Sequence, residues 1–271
     1  MHRASLAEMV VPYGDPTGGN FRRNAFDTGE YGIGQLTDSL TLGCDCLGHI
    51  HYFDAWFHDW MGKAKHIPNA ICMHEEDYGI LWKHTDRRLD VPEVRRSRRL
   101  VVSSVSTVEN YEYGFFWYLY QDGNIEFEIK LTGILSLGAL RPGEGAKYGA
   151  LVSPQLYAPN HQHFFNMRLD FDLDGVANTI EQLDVVSEEL GDDNPYHNGF
   201  YSRATPLRSV DPDGRIAAAI PFDRVLGAVV HASAFVREPG LVEHRTGNLL
   251  IVGEPNGTES ARARAVTSLL A

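Results

Sequence analysis

Alternating apolar and polar residues dominate the centre of the chain and predict β-strands there. Between Asn124 and Leu131, apolar residues recur at every second position, with polar or charged residues between them. A period of two places the two sets on opposite faces, which predicts a half-buried antiparallel strand. An aromatic run at 115–120 precedes this segment, and Gln121-Asp122-Gly123 has the residues of a tight turn. The two segments are therefore predicted to form a hairpin.

The rest of the chain adds further strands and little helix. Residues 99–105 and 167–173 also read as strands, whereas residues 179–189 are the least strand-like part of the central region. From about residue 210 small apolar residues replace aromatic ones, and residues 261–266 resemble a loose helix. These patterns predict a mainly β fold, most simply a sandwich, with few helices.

Composition and charge exclude several classes of protein. The chain has 271 residues, of which 43% are hydrophobic and 22% charged, and this balance is typical of a globular protein of one or two domains. The formal net charge of −12 opposes binding to nucleic acid or to an anionic membrane. We therefore interpret the basic run 95–99 as a solvated strand or a dimer contact. No segment approaches the roughly 20 apolar residues of a membrane span.

The amino terminus bears on localisation. Residues 1–11 contain neither an apolar core segment nor a cleavage site of the kind that signal peptides carry. This predicts a cytoplasmic chain.

Two histidines are candidates for metal binding. In His161-Gln162-His163, a strand conformation would place both imidazoles on one face, about 7 Å apart along the backbone. Imidazole nitrogens suit copper, zinc, iron and nickel. Two polar histidines at a strand edge would show the same pattern, so both interpretations remain open from these residues alone.

An acidic segment offers a second candidate site. Residues 170–175, together with Glu181, fit the calcium-loop expression D-x-D-x-D-G-x5-E. An EF-hand needs a helix before its loop, whereas the residues before Asp170 alternate as a strand, which excludes that motif. A hard-cation site of another type and a solvated acidic edge remain equally open.

The three cysteines do not form a recognisable framework. Cys44 and Cys46 make a C-x-C pair and Cys72 follows 26 residues later, which is too few for a disulfide scaffold and poorly spaced for zinc. Taken alone, they are best interpreted as buried thiols.

One motif points to a known family. Residues 107–113 read Thr-Val-Glu-Asn-Tyr-Glu-Tyr and match T-x-x-N-Y-(D/E)-Y, the cofactor motif of the copper amine oxidases. Further segments resemble bacterial members of this family in the same order: 7–16, 24–31, 39–46, 70–77 and 161–163. The resemblance covers roughly residues 6–205. It implies the family's catalytic β-sandwich (supersandwich), of which residues 1–207 would be the amino-terminal part, followed by a divergent or non-homologous tail at 208–271.

The resemblance implies a redox cofactor made from the protein itself. Tyr111 stands where the family has the precursor of topaquinone, and His161 and His163 stand where it has two of three copper ligands. The implied reaction converts a primary amine, O₂ and water to an aldehyde, ammonia and hydrogen peroxide by covalent catalysis on the quinone, with hydrolysis releasing the aldehyde.

Three more residues receive roles from the resemblance. Asp27 matches the catalytic base, Tyr13 the tyrosine that hydrogen-bonds a quinone oxygen, and Asn110 the residue that orients the ring. A base that takes a proton from carbon would have to be partly desolvated, so that its pKa rises towards the working pH.

The resemblance also implies features outside the active site. Cys46 and Cys72 match a pair that forms a disulfide in relatives, which leaves Cys44 free, although a reducing cytosol would oppose this bond. Relatives form homodimers; dimerisation of this chain stays open. The implied peripheral calcium-type ligands are Asp170, the carbonyl of Phe171, and Asp172.

The match breaks at the third copper histidine, which in relatives lies well over a hundred residues after the H-x-H pair. Only 108 residues follow His163, and the segments around His197, His231 and His244 do not resemble the third-ligand segment. Our hypothesis is a fragment of the catalytic domain, cut at both ends. Two imidazoles predict weak copper binding and low or no activity. The alternatives are a catalytically dead β-sandwich fragment and a metal-binding β module without quinone chemistry.

Overall fold

The fold is taken from a computed structural model, which describes residues 2–16, 24–29, 31–59, 61–209, 211, 213–238, 241–255 and 257–270. The chain divides into two compact units: one is Ala4–Leu169, and the other is Met1–Arg3 with Asp170–Ala271. The strands are β1 (Arg3–Pro12), β2 (Asn24–Phe26), β3 (Ile50–His58), β4 (Ala64–Asp86), β5 (Val91–Val108), β6 (Tyr111–Tyr120), β7 (Ile125–Gly133), β8 (Gly138–Ala139), β9 (Gly149–Ser153), β10 (Leu156–Pro159), β11 (Phe164–Asp170), β12 (Glu181–Ser187), β13 (Phe200–Pro206), β14 (Gly227–Glu238) and β15 (Leu241–Gly253); the helices are α1 (Arg215–Ala219) and α2 (Ala261–Leu270).

The mainly β fold predicted from the sequence is confirmed. In the larger unit five antiparallel strands form one sheet in the order β3-β4-β5-β6-β7. Its last two strands are the predicted hairpin, with Phe115 opposite Ile129 and Trp117 opposite Phe127. The predicted strand at 99–105 lies within β5. Helices α1 and α2 are the α-helices among the described residues, and neither is long and apolar enough to span a membrane.

Two smaller sheets complete this unit. The first has the order β11-β1-β2, and the second the order β8-β10-β9. A core cluster joins the first of these to the large sheet, because Met9 of β1 packs with Ile33, Val108 and Tyr113. Tyr111 packs against the same cluster. The core therefore fixes the start of β6 against the end of β1.

The basic run lies on a solvated part of β5, as one of the two interpretations predicted. Cross-strand pairs join Arg96 to Asp77 and Arg98 to Glu75, and these side chains are about half exposed. The guanidinium of Arg96 lowers the pKa of Asp77 to about 2. The positive charges of Arg96 and Arg98 are thus balanced by carboxylates of β4.

The smaller unit corrects one prediction. Residues 181–187, in the segment predicted to be least strand-like, form strand β12, which pairs along its whole length with β13. The partner strand carries Phe200, Tyr201 and Thr205, which favour β-structure, and cross-strand pairing outweighs the weak local preference. The predicted helix at 261–266 is confirmed as part of α2, and the strand predicted at 167–173 ends at Asp170.

Candidate active site

The candidate residues meet where β1 ends. Tyr13 follows β1 and forms a β-bridge with His161, and His163 immediately precedes β11. Asp27 follows β2, and Tyr111 begins β6. Since β1 lies between β11 and β2, and its core residues pack on β6, four segments far apart in sequence converge at one point.

The two imidazoles lie side by side. Their ring centroids are 5.0 Å apart, although His161 and His163 precede β11 rather than lie within a strand as predicted. The Nδ1 of His161 is 3.0 Å from the carbonyl oxygen of Pro159. A carbonyl oxygen only accepts hydrogen bonds, so Nδ1 bears a hydrogen, and in the neutral ring Nε2 has the lone pair. That is the arrangement of a metal-binding histidine held by an outer partner.

His163 is placed to act in the same way. Its Nδ1 lies 3.2 Å from the hydroxyl of Tyr113. Burial, and secondarily the neighbouring His161, lower the pKa of His163. The imidazole is therefore neutral at neutral pH, the state in which it can bind a metal.

Tyr111 is partly buried beside these rings, and its hydroxyl is fully buried. Its centroid is 5.5 Å from that of His161 and 5.8 Å from that of His163. Its hydroxyl is inaccessible to solvent and has no hydrogen-bond partner among the described residues. A buried polar group without a partner costs about 1–3 kcal/mol. A buried hydroxyl without a partner, next to two imidazoles that can bind a metal, fits a site that holds a metal ion or another polar group.

Asp27 is held firmly in the interior. Its side chain is 2% exposed, and its backbone N–H donates to the carbonyl of Met9 at 2.9 Å. The hydroxyl of Tyr113 donates to Asp27 Oδ2 at 3.1 Å. Burial, followed by the charge of Asp27, raises the pKa of Tyr113 far above its usual range, so this phenol stays a donor.

Tyr113 is a site residue that the sequence analysis did not single out. The signal was present, because residues two apart on a strand share a face, and Tyr111 and Tyr113 both belong to β6. The motif alone gave no reason to separate a buried structural tyrosine from one that contacts Asp27 and His163.

A cavity of about 180 Å³ adjoins these groups. Comparable cavities hold a molecule the size of benzene. The residues that line it include Tyr13, Asp27, Asn110, Tyr111 and Tyr113. The cavity thus lies against both Asp27 and Tyr111.

The contacts that Tyr13 and Asn110 make in the structure differ from those that their expected roles would require. The ring of Tyr13 stacks on His161 with 5.0 Å between centroids. The side-chain amide of Asn110 donates to the backbone carbonyl of Ile134, and the backbone carbonyl of Asn110 accepts from the N–H of Ile134 at 2.7 Å. Asn110 therefore fixes the turn before Tyr111, and its role in orienting the ring stays a prediction.

The peripheral predictions remain open. The backbone carbonyl of Asp170 accepts from His2, and the side chain of Asp172 is exposed. Across the described parts of the chain, no three His, Cys, Asp or Glu side chains form a group that could hold a metal ion. The calcium site is still a prediction, and the copper pair lacks a third described ligand. The side chains of His231 and His244 lie outside the described residues.

The cysteines are free thiols in the structure. Cys46 and Cys72 are buried in one cluster with Leu40, whereas Cys44 is exposed. Burial, and then contact with Cys46, raise the pKa of Cys72 to about 12. The disulfide implied by the resemblance is not formed here and stays a prediction.

Comparison with known proteins gives a consistent result. The model of the copper amine oxidase enzyme domain matches residues 1–228. A peroxisomal copper-containing diamine oxidase of Nicotiana tabacum is 56% identical over 212 residues, which are 77% of this chain and 27% of that protein. Histamine oxidase of Arthrobacter globiformis is 53% identical, over 76% of this chain and 30% of its own length. The resemblance expected to bacterial members therefore extends equally to a plant protein.

Solved structures agree with the sequences. The crystal structure of a copper-containing benzylamine oxidase from Hansenula polymorpha matches with a TM-score of 0.70 and 42% identity, over 76% of this chain and 33% of that one. This chain spans about a quarter to a third of the length of the relatives that it matches. From the match to the enzyme-domain model over most of its length, together with these relatives, we conclude that the chain belongs to the copper amine oxidase family.

Proposed function

We propose that this site serves the copper- and topaquinone-dependent oxidation of primary amines, in which amine, O₂ and water give aldehyde, ammonia and hydrogen peroxide. The observation that carries the proposal is the buried hydroxyl of Tyr111, which has no described hydrogen-bond partner and belongs to a ring beside two imidazoles. Relatives named as diamine, histamine and benzylamine oxidases support the amine as substrate.

The residues present fit copper in chemistry, though not in number. His161 and His163 would hold the ion through Nε2, because the Nδ1 of each faces an oxygen of the protein. When bound, copper would supply the reaction with O₂ that oxidises Tyr111 to topaquinone, and topaquinone would supply the electrophilic carbonyl for the amine. A third ligand would have to come from outside the described residues.

Asp27 would act as the base. Its carboxylate lines the same cavity as Tyr111, so an amine bound there lies near both. The carboxylate would take a proton from the carbon next to the amine nitrogen, while the hydrogen bond from Tyr113 holds Oδ2 in place. Burial of Asp27 keeps competing water away from this proton transfer.

Location and assembly stay predictions. The chain is predicted to be cytoplasmic, whereas its tobacco relative is named a peroxisomal protein. The dimer implied by the family is likewise a prediction for this chain.

The test supplies the ligand that the described site lacks. The chain is incubated in air with Cu(II), with and without free imidazole, and is then assayed for quinone by redox staining and for peroxide with a panel of primary amines. We expect low quinone and peroxide with copper alone and an increase when imidazole provides a third nitrogen.

The matched control is Tyr111→Phe, which keeps the aromatic ring and removes only its hydroxyl. It should give neither quinone nor amine-dependent peroxide under any condition. If the unaltered chain binds copper and imidazole but forms no quinone, the site is a metal-binding module and the proposed function is wrong.

A further inference from the structure

We propose that Tyr113 is a positioning residue that couples the base to the copper site. Its single hydroxyl fixes the nitrogen through which His163 can bind a metal and at the same time holds the carboxylate of Asp27. The inference rests on the proposed function for the roles of Asp27 as base and of His163 as copper ligand. The two contacts of the Tyr113 hydroxyl are observed independently of those roles.

The position of the Tyr113 hydroxyl is fixed by packing. The residue is 1% exposed, and its ring is part of the core cluster with Met9, Ile33 and Val108. From this position the hydroxyl oxygen is 3.1 Å from Asp27 Oδ2. Because close-packed core residues surround the ring of Tyr113, its side chain is held in one orientation and links the two groups rigidly.

The donors and acceptors on this link have one consistent direction. The hydroxyl has one hydrogen and donates it to the carboxylate of Asp27. Its oxygen then accepts from His163 Nδ1, 3.2 Å away, which therefore carries the proton. His163 is left with Nε2 as its metal-binding nitrogen, as His161 is through the carbonyl of Pro159.

The strand explains how this link is built. Tyr111 and Tyr113 lie two residues apart on β6, so they share one face of the sheet. The residue proposed for modification and the residue that positions its neighbours therefore stand next to each other on that face. A displacement of Tyr113 would change the placement of the base and the orientation of one metal ligand in a single step.

The first test reads the proton on His163 directly. Nitrogen NMR of the metal-free full chain with labelled histidine assigns the tautomer in three proteins: unaltered, Tyr113→Phe and Tyr157→Phe. Tyr157 is the matched control, because it is also a buried tyrosine that donates to an aspartate, Asp15, at 2.7 Å. We expect the Nδ1–H form of His163 in the unaltered chain and in Tyr157→Phe, and a mixture of both tautomers in Tyr113→Phe.

The second test reads the consequence for the metal. Copper titration against a competing chelator should show binding weakened by about tenfold in Tyr113→Phe, the lower end of the usual loss for an outer partner of a ligand, and unchanged binding in Tyr157→Phe. An altered tautomer with unchanged copper affinity would overturn the coupling.

The outcome is decisive even if a variant does not fold. A His163 protonated on Nε2 in the unaltered chain would overturn the proposal without any variant. Neither readout needs quinone or amine, so a failure to oxidise amines would reject the proposed function and leave this inference standing.

Discussion

At the scale of the residue, two tyrosines of one strand have opposite environments. Tyr111 buries a hydroxyl without a described partner, whereas Tyr113 donates to Asp27 and contacts His163. An unmade hydrogen bond costs stability and a buried bond to a charged group contributes to it. The residue that the proposed chemistry modifies therefore lowers the stability of the fold, because its hydroxyl is buried without a hydrogen bond.

This contrast predicts opposite signs for one change at two positions. In the metal-free chain, Tyr111→Phe should raise the free energy of unfolding by about 1 kcal/mol, because it removes the orphaned hydroxyl. Tyr113→Phe should lower it by about 1–3 kcal/mol, since Asp27 loses its buried donor. Urea unfolding measures both. Equal destabilisation by the two variants would show that the Tyr111 hydroxyl has a partner.

The candidate residues could be named from the sequence, but their contacts could not. The motif around Tyr111 and the pair His161 and His163 were recognisable as a pattern of residue types. The bridge made by Tyr113 was not, since it depends on the depth at which the ring is packed. The orientation of the imidazoles could not be predicted from the sequence either. His161 is oriented by the backbone carbonyl of Pro159, and since every residue has such a carbonyl, residue type does not reveal the contact.

At the scale of the element, local patterns predicted strands and long-range pairing assembled the site. The hairpin β6–β7 was predictable because its alternation and its turn lie within twenty residues. The placement of β1 between β2 and β11 was not, since it joins segments more than 130 residues apart. Strand β12 was misjudged for another reason, because its own residues show little preference for β-structure and its pairing with the neighbouring strand β13 decides its conformation.

The β6–β7 pairing predicts a strong effect at Gly133. This residue lies opposite Tyr111, has φ of 104°, and a Cβ there would lie 2.5 Å from the carbonyl oxygen of Asn110. Gly133→Ala should therefore lower the free energy of unfolding by more than 2 kcal/mol, roughly the sum of left-handed strain and the backbone clash.

Gly123 is the matched control for this prediction. It also has a positive φ, of 89°, but an added Cβ there meets nothing within 4 Å. Gly123→Ala should cost only about 1 kcal/mol by urea unfolding. Equal losses at the two glycines would show that the close approach behind Tyr111 is not tight.

At the scale of the whole molecule, the smaller unit exposes apolar side chains. Large apolar side chains are exposed on one face of the β12–β13 hairpin, where Val185 is 77% and Phe200 73% exposed. Exposed apolar patches are typical of surfaces that contact another segment or chain. Since the chain spans about a quarter to a third of its relatives' length, the activity proposed here belongs to a larger arrangement of ligands than the described residues supply.

The central claim is that the Tyr111 phenol is the group that copper chemistry modifies. The most direct measurement is peptide mapping by mass spectrometry of the chain after incubation with Cu(II), imidazole and air. The account predicts an oxygen-bearing modification on Tyr111, with Tyr13 and Tyr113 unchanged. Modification of Tyr113 instead, or an unmodified Tyr111 in a chain that demonstrably holds copper, would contradict it.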